Sequence, residues 1–199
     1  MLQSENHSGN VADAVALLRT KTDAVLLVPT ETVYGLVCDW YSADGRERIY
    51  RMKRRDPNKL LAAFLPDLKY VYDFVPSLPE NAEKIARAFM PGPITLVVPD
   101  GNGSTFGFRI PDHPLLLQLL REYGKVLAST SANRSGEPST LNVQDALNSL
   151  VEAPDHVLDS GAIPENSRAS TVISVDTDGN WKILRPGPVS EDAIRQILE

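Results

Sequence analysis

Short apolar runs and amphipathic stretches take turns along this chain, and that alternation constrains its fold more than any other feature. Ala24 to Val28, Leu60 to Leu65, Ile94 to Val98, Phe106 to Ile110 and Lys125 to Ser129 have the length and character of strands. Helical spacing fills the gaps. Val11, Ala14, Val15 and Leu18 repeat at i, i+3, i+4, i+7 behind Asn10, a residue suited to cap them. Asp44 and Glu47 resemble a capping box for a helix that runs to about Arg54 and stops at Asp56-Pro57. Leu78, Ala82, Ile85, Ala86 and Phe89 share one helical face, ended by Pro91-Gly92-Pro93. A further helix is predicted over Asp112–Tyr123, with Pro114 in its first turn and Gly124 as its stop. A polar loop from Thr130 to Thr140 follows, and Asn142 caps a short helix. Thr171 to Val175 and Trp181 to Leu184 flank a turn-rich pentapeptide and read as a hairpin. Ser190 caps the last helix, with Val189 and Ile194 placed for a hydrophobic staple. The expected fold is α/β: one domain over 1–199, with a twisted open mixed sheet flanked by helices and antiparallel strands supplied by the hairpin.

Composition narrows the function. A chain of 199 residues, 42% of them hydrophobic, suffices for one well-buried domain and is short for two. A single Cys rules out a disulfide framework or a Cys-rich zinc site and suggests a reducing compartment. No apolar run approaches the roughly 20 residues of a membrane span. Met1 to Asn10 are polar, without the apolar core of a signal peptide. A cytoplasmic protein without a membrane partner is the expectation. The net charge is −6, yet residues 46–59 carry seven basic side chains against Glu47 and Asp56. Such a focused basic run suits an anion site, or simply a solvated helix face.

Three segments carry more polar chemistry than a plain fold requires. Thr30-Glu31-Thr32 follows the first strand, where open α/β sheets place ligands; a turn bonding its own backbone is the plain alternative. Lys53-Arg54-Arg55 ends a helix, where cations favour the dipole or clamp phosphate. Ser129-Thr130-Ser131-Ala132-Asn133 follows another strand and offers hydroxyls to an anion, or is a Ser-rich connection. Arg109 is a lone cation in an apolar strand, and its partner is either Asp112 or a substrate carboxylate. Cys38 reads as a small buried thiol. No Walker-A loop, zinc motif or serine-nucleophile motif is present.

In order and spacing, these segments resemble the YrdC-type threonylcarbamoyl-adenylate synthases. Pro29-Thr30-Glu31-Thr32-Val33-Tyr34-Gly35-Leu36 is similar to that family's opening signature, and Lys53-x-Arg55 and Ser131-x-Asn133 to its K-x-R and S-x-N pairs. Met90-Pro91-Gly92-Pro93, Arg109-Ile110-Pro111, Ser170-Thr171-Val172-Ile173 and Arg185-Pro186-Gly187 continue the resemblance over nearly the whole chain. Asp56 departs from the family's usual Pro, and Leu60 from a common Pro or Gly. Longer members carry a second C-terminal domain, and this chain is expected to lack it. The resemblance implies an enzyme, a nucleotidyltransferase. From ATP, L-threonine and bicarbonate it makes threonylcarbamoyl-AMP and pyrophosphate for tRNA modification. It implies that Lys53 and Arg55 hold the triphosphate with Mg2+, and that Thr130, Ser131, Asn133 and Arg185 contact the nucleotide. Thr32, Ser129 and Arg109 would then bind threonine. Downstream threonylcarbamoyl-transfer proteins would be partners. The competing readings are a double-stranded-RNA-binding or ribosome-associated module of the same fold, and a paralogue acting on another carbamoyl substrate.

Overall fold

The computed structural model describes residues 9–199, so most of the polar segment Met1 to Asn10 lies outside the described residues. Asn10 caps α1 (Val11–Thr20) as expected, its side chain accepting from the Asp13 N–H. Its apolar stripe packs on α4 (Pro114–Tyr123) through Leu116, Leu119 and Leu120. Together these helices cover one face of β1 (Leu26–Val28) and β2 (Gly35–Asp39). α2 (Ala43–Lys53) and α5 (Val143–Ser149) cover the other face, where Ile49, Met52 and Ala146 meet Leu27, Leu36 and Cys38. Residues buried on both faces explain why the first strand reads as a continuous apolar run.

The remaining strands are β3 (Ala62–Phe64), β4 (Ile94–Pro99), β5 (Thr105–Arg109), β6 (Leu127–Ser131), β7 (His156–Val157), β8 (Thr171–Val175) and β9 (Trp181–Arg185). They form a nine-stranded sheet in the order β7-β1-β2-β6-β3-β5-β4-β8-β9. Pairing is mixed, with β1–β7, β3–β5 and β4–β8 parallel and the other neighbours antiparallel. Antiparallel pairing therefore runs through the middle of the sheet, beyond the β8–β9 hairpin that sequence suggested. α3 (Glu80–Phe89) and α6 (Glu191–Leu198) cover only one face of β3, β5, β4 and β8. Ile85, Ala86 and Ile194 pack there against Leu96, Phe106, Phe108 and Ile173.

Several boundaries differ from expectation for identifiable reasons. α2 is capped by Ser42, which accepts from the Gly45 N–H, so Asp44 lies inside the first turn and the Asp44–Glu47 capping box does not form. β6 extends to Ser131, which makes Thr130 and Ser131 strand residues paired with Leu36 and Gly35 rather than the start of a loop. The strand β2 gives no separate signal in the sequence because its apolar residues follow the turn signature directly. The two-residue β7 and a 3-10 turn over 68–73 are too short for periodicity to register.

Candidate active site: a cleft with unpaired guanidinium groups

The alternation of β5 builds the cleft. Phe106 and Phe108 enter the core under α3, while Thr105, Gly107 and Arg109 point to the opposite face and border a cavity of about 300 Å³. Ala62 and Phe64, Thr95 and Val97, and Val172 extend that floor from the neighbouring strands. The segment after β1 (Thr30, Thr32, Tyr34), the end of β6 (Ser129 to Ser131), Arg55 and Arg185 complete the walls.

Two cations of the wall have no counter-ion. Arg55 donates from Nε to the Lys59 carbonyl at 3.1 Å and from Nη2 to the Leu60 carbonyl at 2.9 Å. Arg185 donates from Nε and Nη2 to the Ser170 carbonyl, at 3.1 and 2.8 Å, and from Nη2 to Ser170 Oγ at 3.1 Å. Among the described residues neither guanidinium has a carboxylate within 4.0 Å. Burial lowers both pKa values; Arg109 lowers that of Arg185 further, while Tyr50 and Asp56 partly offset the effect at Arg55. Carbonyls fix the two planar forks in place without a directly paired carboxylate, an arrangement suited to an incoming anion.

Lys53 lies elsewhere than a phosphate clamp would require. Its side chain is 1% exposed and does not border the cavity. Its ammonium donates to the Ser131 carbonyl and, at 2.5 Å, to the Asn133 carbonyl. Ser135 N–H closes on the Lys53 carbonyl at 2.9 Å. Lys53 thus fastens the turn after β6 from beneath. Burial, helped by the nearby Arg55, pushes its pKa down to about 7. Asn133 also holds its own turn, donating from Nδ2 to the Arg134 and Glu137 carbonyls at 3.0 and 2.7 Å, and it too lies off the cavity wall.

Thr32 and Arg109 border the cavity but are already partners. Arg109 donates from Nη1 and Nη2 to Thr32 Oγ1 at 3.2 and 3.1 Å, and from Nε to the Gly92 carbonyl at 3.1 Å. Thr30 Oγ1 sits 2.6 Å from the Val33 carbonyl, which can only accept, so the single Thr30 proton goes there. In the Thr30–Thr32 contact of 2.8 Å, Thr32 is then the donor, and its hydroxyl is saturated. The counter-ion of Arg109 is Glu31, with Nη2 to Oε1 at 2.7 Å; Asp112 is not. The N–H vectors do not aim at Glu31, whose buried oxygens accept no hydrogen bond, so the contact is coulombic. Glu31 carried no periodic signal and stood in the sequence as one polar residue between two hydroxyls.

The structure therefore sorts the residues singled out from sequence. Thr32, Arg55, Arg109, Ser129, Thr130, Ser131 and Arg185 meet at one cavity, with Lys53 and Asn133 behind it. Ser129 gives its proton to the Ala62 carbonyl at 3.0 Å, whereas the hydroxyls of Thr130 and Ser131 are half-buried at the wall and uncommitted among the described residues. The basic run proves largely consumed. Arg48 meets Glu152 at 2.6 Å and Asp155, Arg51 meets Glu152 at 3.2 Å, and Arg46 donates to the Trp40 carbonyl. Asp56, the departure after Arg55, makes a local turn by accepting from the Asn58 N–H at 2.9 Å, and Leu60 stands 59% exposed on the cavity rim. Two motif glycines answer to backbone packing. A Cβ on Gly92 would lie 2.3 Å from the Phe89 carbonyl oxygen, and one on Gly187 2.3 Å from the Thr171 nitrogen.

An open mixed sheet, bare on one face of its β3-β5-β4-β8 part and lined there by hydroxyls and guanidinium groups, defines an α/β protein with a cationic, hydroxyl-lined cleft. Residues 19–187 match the Sua5/YciO/YrdC family, described as "Telomere recombination", and the chain belongs to that family. It is 31% identical over 198 residues to a threonylcarbamoyl-AMP synthase of Bacillus subtilis, covering 94% of this chain and 56% of that protein. It is 30% identical over 204 residues to a putative threonylcarbamoyl-AMP synthase of Mycobacterium tuberculosis, covering 98% and 91%. The P. abyssi Sua5 structure complexed with L-threonine superposes with a TM-score of 0.84 at 28% identity, over 94% of this chain and 57% of that one. The chain thus spans little more than half the length of some relatives. Among the described residues no helix is long and apolar enough to cross a membrane.

Proposed function

We propose that the protein is a threonylcarbamoyl-AMP synthase, a nucleotidyltransferase acting on ATP, L-threonine and bicarbonate. The observation that carries this reading is the pair of counter-ion-free guanidinium groups, Arg55 and Arg185, on one hydroxyl-lined cavity. Threonine bound to a relative of the same fold supports the amino-acid substrate. In the reaction, a carbamate oxygen of N-carboxythreonine bonds to the α-phosphorus of ATP. The bond from that phosphorus to the bridging oxygen breaks, and its electrons leave with pyrophosphate. Two anions must meet, so charge neutralisation and positioning outweigh proton transfer.

Arg55 and Arg185 take phosphate oxygens, and the Thr130 and Ser131 hydroxyls complete their hydrogen bonding. Lys53 and Asn133 act one step back, holding the turn that carries Ser131. Arg109, supported by Thr32, takes the amino-acid carboxylate. Mg2+ would enter bound to the phosphates of the ATP substrate and neutralise part of their charge. The product passes to proteins that transfer its threonylcarbamoyl group to tRNA in the cytoplasm. An RNA-coating role would need a free basic face, and intramolecular partners occupy most of the basic run. The test is pyrophosphate release from ATP with and without threonine and bicarbonate. Release that ignores either co-substrate refutes the assignment.

A further inference from the structure

Glu31 has no role in the function above, yet its carboxylate is unusual. Its oxygens are buried, no N–H or O–H among the described residues donates to them, and their one close ionic contact is the coulombic one with Arg109 at 2.7 Å, with the partly buried imidazole of His113 also within coulombic range. A buried carboxylate ordinarily gathers several donors, because its desolvation is expensive and one charge alone rarely offsets it. Arg109 is 4% exposed and cannot leave, since Gly92 and Thr32 hold its other N–H groups. Glu31 and Thr32 also border a second, open cavity of about 400 Å³, lined further by Pro93, Asn166, Arg168 and Pro188. Thr32 borders both cavities, so the Thr32–Arg109–Glu31 group forms the wall between them.

We propose that Glu31 is a specificity-determining residue, selecting ligands that carry a free ammonium group beside their carboxylate. This rests on the reading of Arg109 as the carboxylate site. In the unliganded protein Glu31 occupies the guanidinium that the substrate carboxylate needs. A zwitterionic amino acid exchanges partners with this pair: its carboxylate takes Arg109, and its ammonium takes the displaced Glu31. One ion pair and one zwitterion become two ion pairs, and no charge is stranded. A simple hydroxy acid offers Arg109 the same carboxylate but leaves Glu31 buried and unpaired, the costly outcome for a buried ionic group. The second cavity beside Glu31 gives its side chain room to turn as the exchange proceeds.

The experiment is calorimetric titration of the intact protein with L-threonine and with 2,3-dihydroxybutanoate, its deaminated analogue, in the unsubstituted protein and in Glu31→Gln. Thermal melting confirms that both are folded. The unsubstituted protein should prefer threonine by about a hundredfold, the discrimination expected when a buried charge loses its partner. In Glu31→Gln that preference should fall below about tenfold, chiefly because the hydroxy acid binds better, with ATP affinity unchanged. Glu31→Asp, which keeps the charge, should restore part of the preference. An equal preference in the unsubstituted protein and Glu31→Gln overturns the proposal while leaving the synthase reading intact. Failure of the unsubstituted protein to bind threonine refutes the synthase reading itself.

Discussion

Arg55 offers a direct test of whether the cleft binds a triphosphate, because function and stability should respond differently to its loss. In Arg55→Met the aliphatic stem survives and the guanidinium is removed. A charge-assisted contact to phosphate contributes about 1.5–3 kcal/mol, so kcat/KM for ATP should fall by about ten- to a hundredfold. Stability should hardly move. The substitution forfeits two hydrogen bonds, to Lys59 and Leu60 in an exposed loop, worth about 0.5–1.5 kcal/mol each. Against that, it removes a guanidinium that burial disfavours and relieves the nearby Lys53 of a like charge. The opposed contributions leave a net change within about 1 kcal/mol, or a few degrees in Tm. The assay is initial-rate pyrophosphate release over a range of ATP concentrations, beside a melting curve. Arg54→Met, altering an exposed cation off the cavity wall, is the control. An Arg55→Met protein with unchanged kcat/KM for ATP would refute the reasoning, as would equal losses at positions 54 and 55.

Three further outcomes follow from the same geometry. Burial holds the Lys53 pKa near 7 against roughly 10.4 in the unfolded chain, so between these values the unfolded chain binds the extra proton and stability rises with pH; Lys53→Met should lose that rise, and equal urea-midpoint slopes between pH 7 and 9 for the two proteins would contradict it. Gly107 has no strained φ, and a Cβ there would meet Val97 Cγ2 at 3.8 Å, an ordinary van der Waals contact, so Gly107→Leu should fold normally while filling the cavity and raising KM for a substrate at least tenfold, by the steric logic of a blocked site; an intact KM would show that the cavity floor is unused. Arg54 adopts φ 48°, ψ 45°, a left-handed conformation that favours glycine, so Arg54→Gly should raise stability by up to about 1 kcal/mol without changing KM, as read by chemical denaturation.

Much of the scaffold was legible because apolar periodicity and capping are local. Asn10, Asn142 and Ser190 each accept the N–H three residues on, at the helix starts where the sequence placed them. The cleft was legible at the level of segments, since two of its three polar stretches follow or end strands and the third ends a helix. What could not be read was the direction in which each side chain spends its hydrogen bonds. Thr32 and Arg109 have the residue types of ligand binders, and only the fold reveals that they lie 3.1–3.2 Å apart and satisfy each other. The Glu31 contact, spanning 78 positions to Arg109, leaves no trace in spacing. Ser42 took the cap from Asp44 because it stands one residue before the helix with its Oγ 2.8 Å from the Gly45 N–H, a margin of two positions that pattern cannot resolve.

The Lys53-Arg54-Arg55 tripeptide shows how three adjacent cations acquire three different roles. Lys53 is the last residue of α2 and falls on its buried side, beside Met52. Had the helix continued, the next residues would have turned progressively to solvent, 100° apiece. Instead Arg54 closes the helix in the left-handed conformation, its N–H and that of Arg55 returning to carbonyls of the last turn. The reversal leaves Arg54 in water and swings Arg55 back over the sheet to the cavity wall. Lys53 beneath the Ser131–Asn133 turn and Arg55 on the wall are then close enough that Arg55 disfavours the charge on Lys53, and Asp56 offsets only part of the burial at Arg55. Folding alone gains nothing from such a pair, whose repulsion an incoming polyanion would remove.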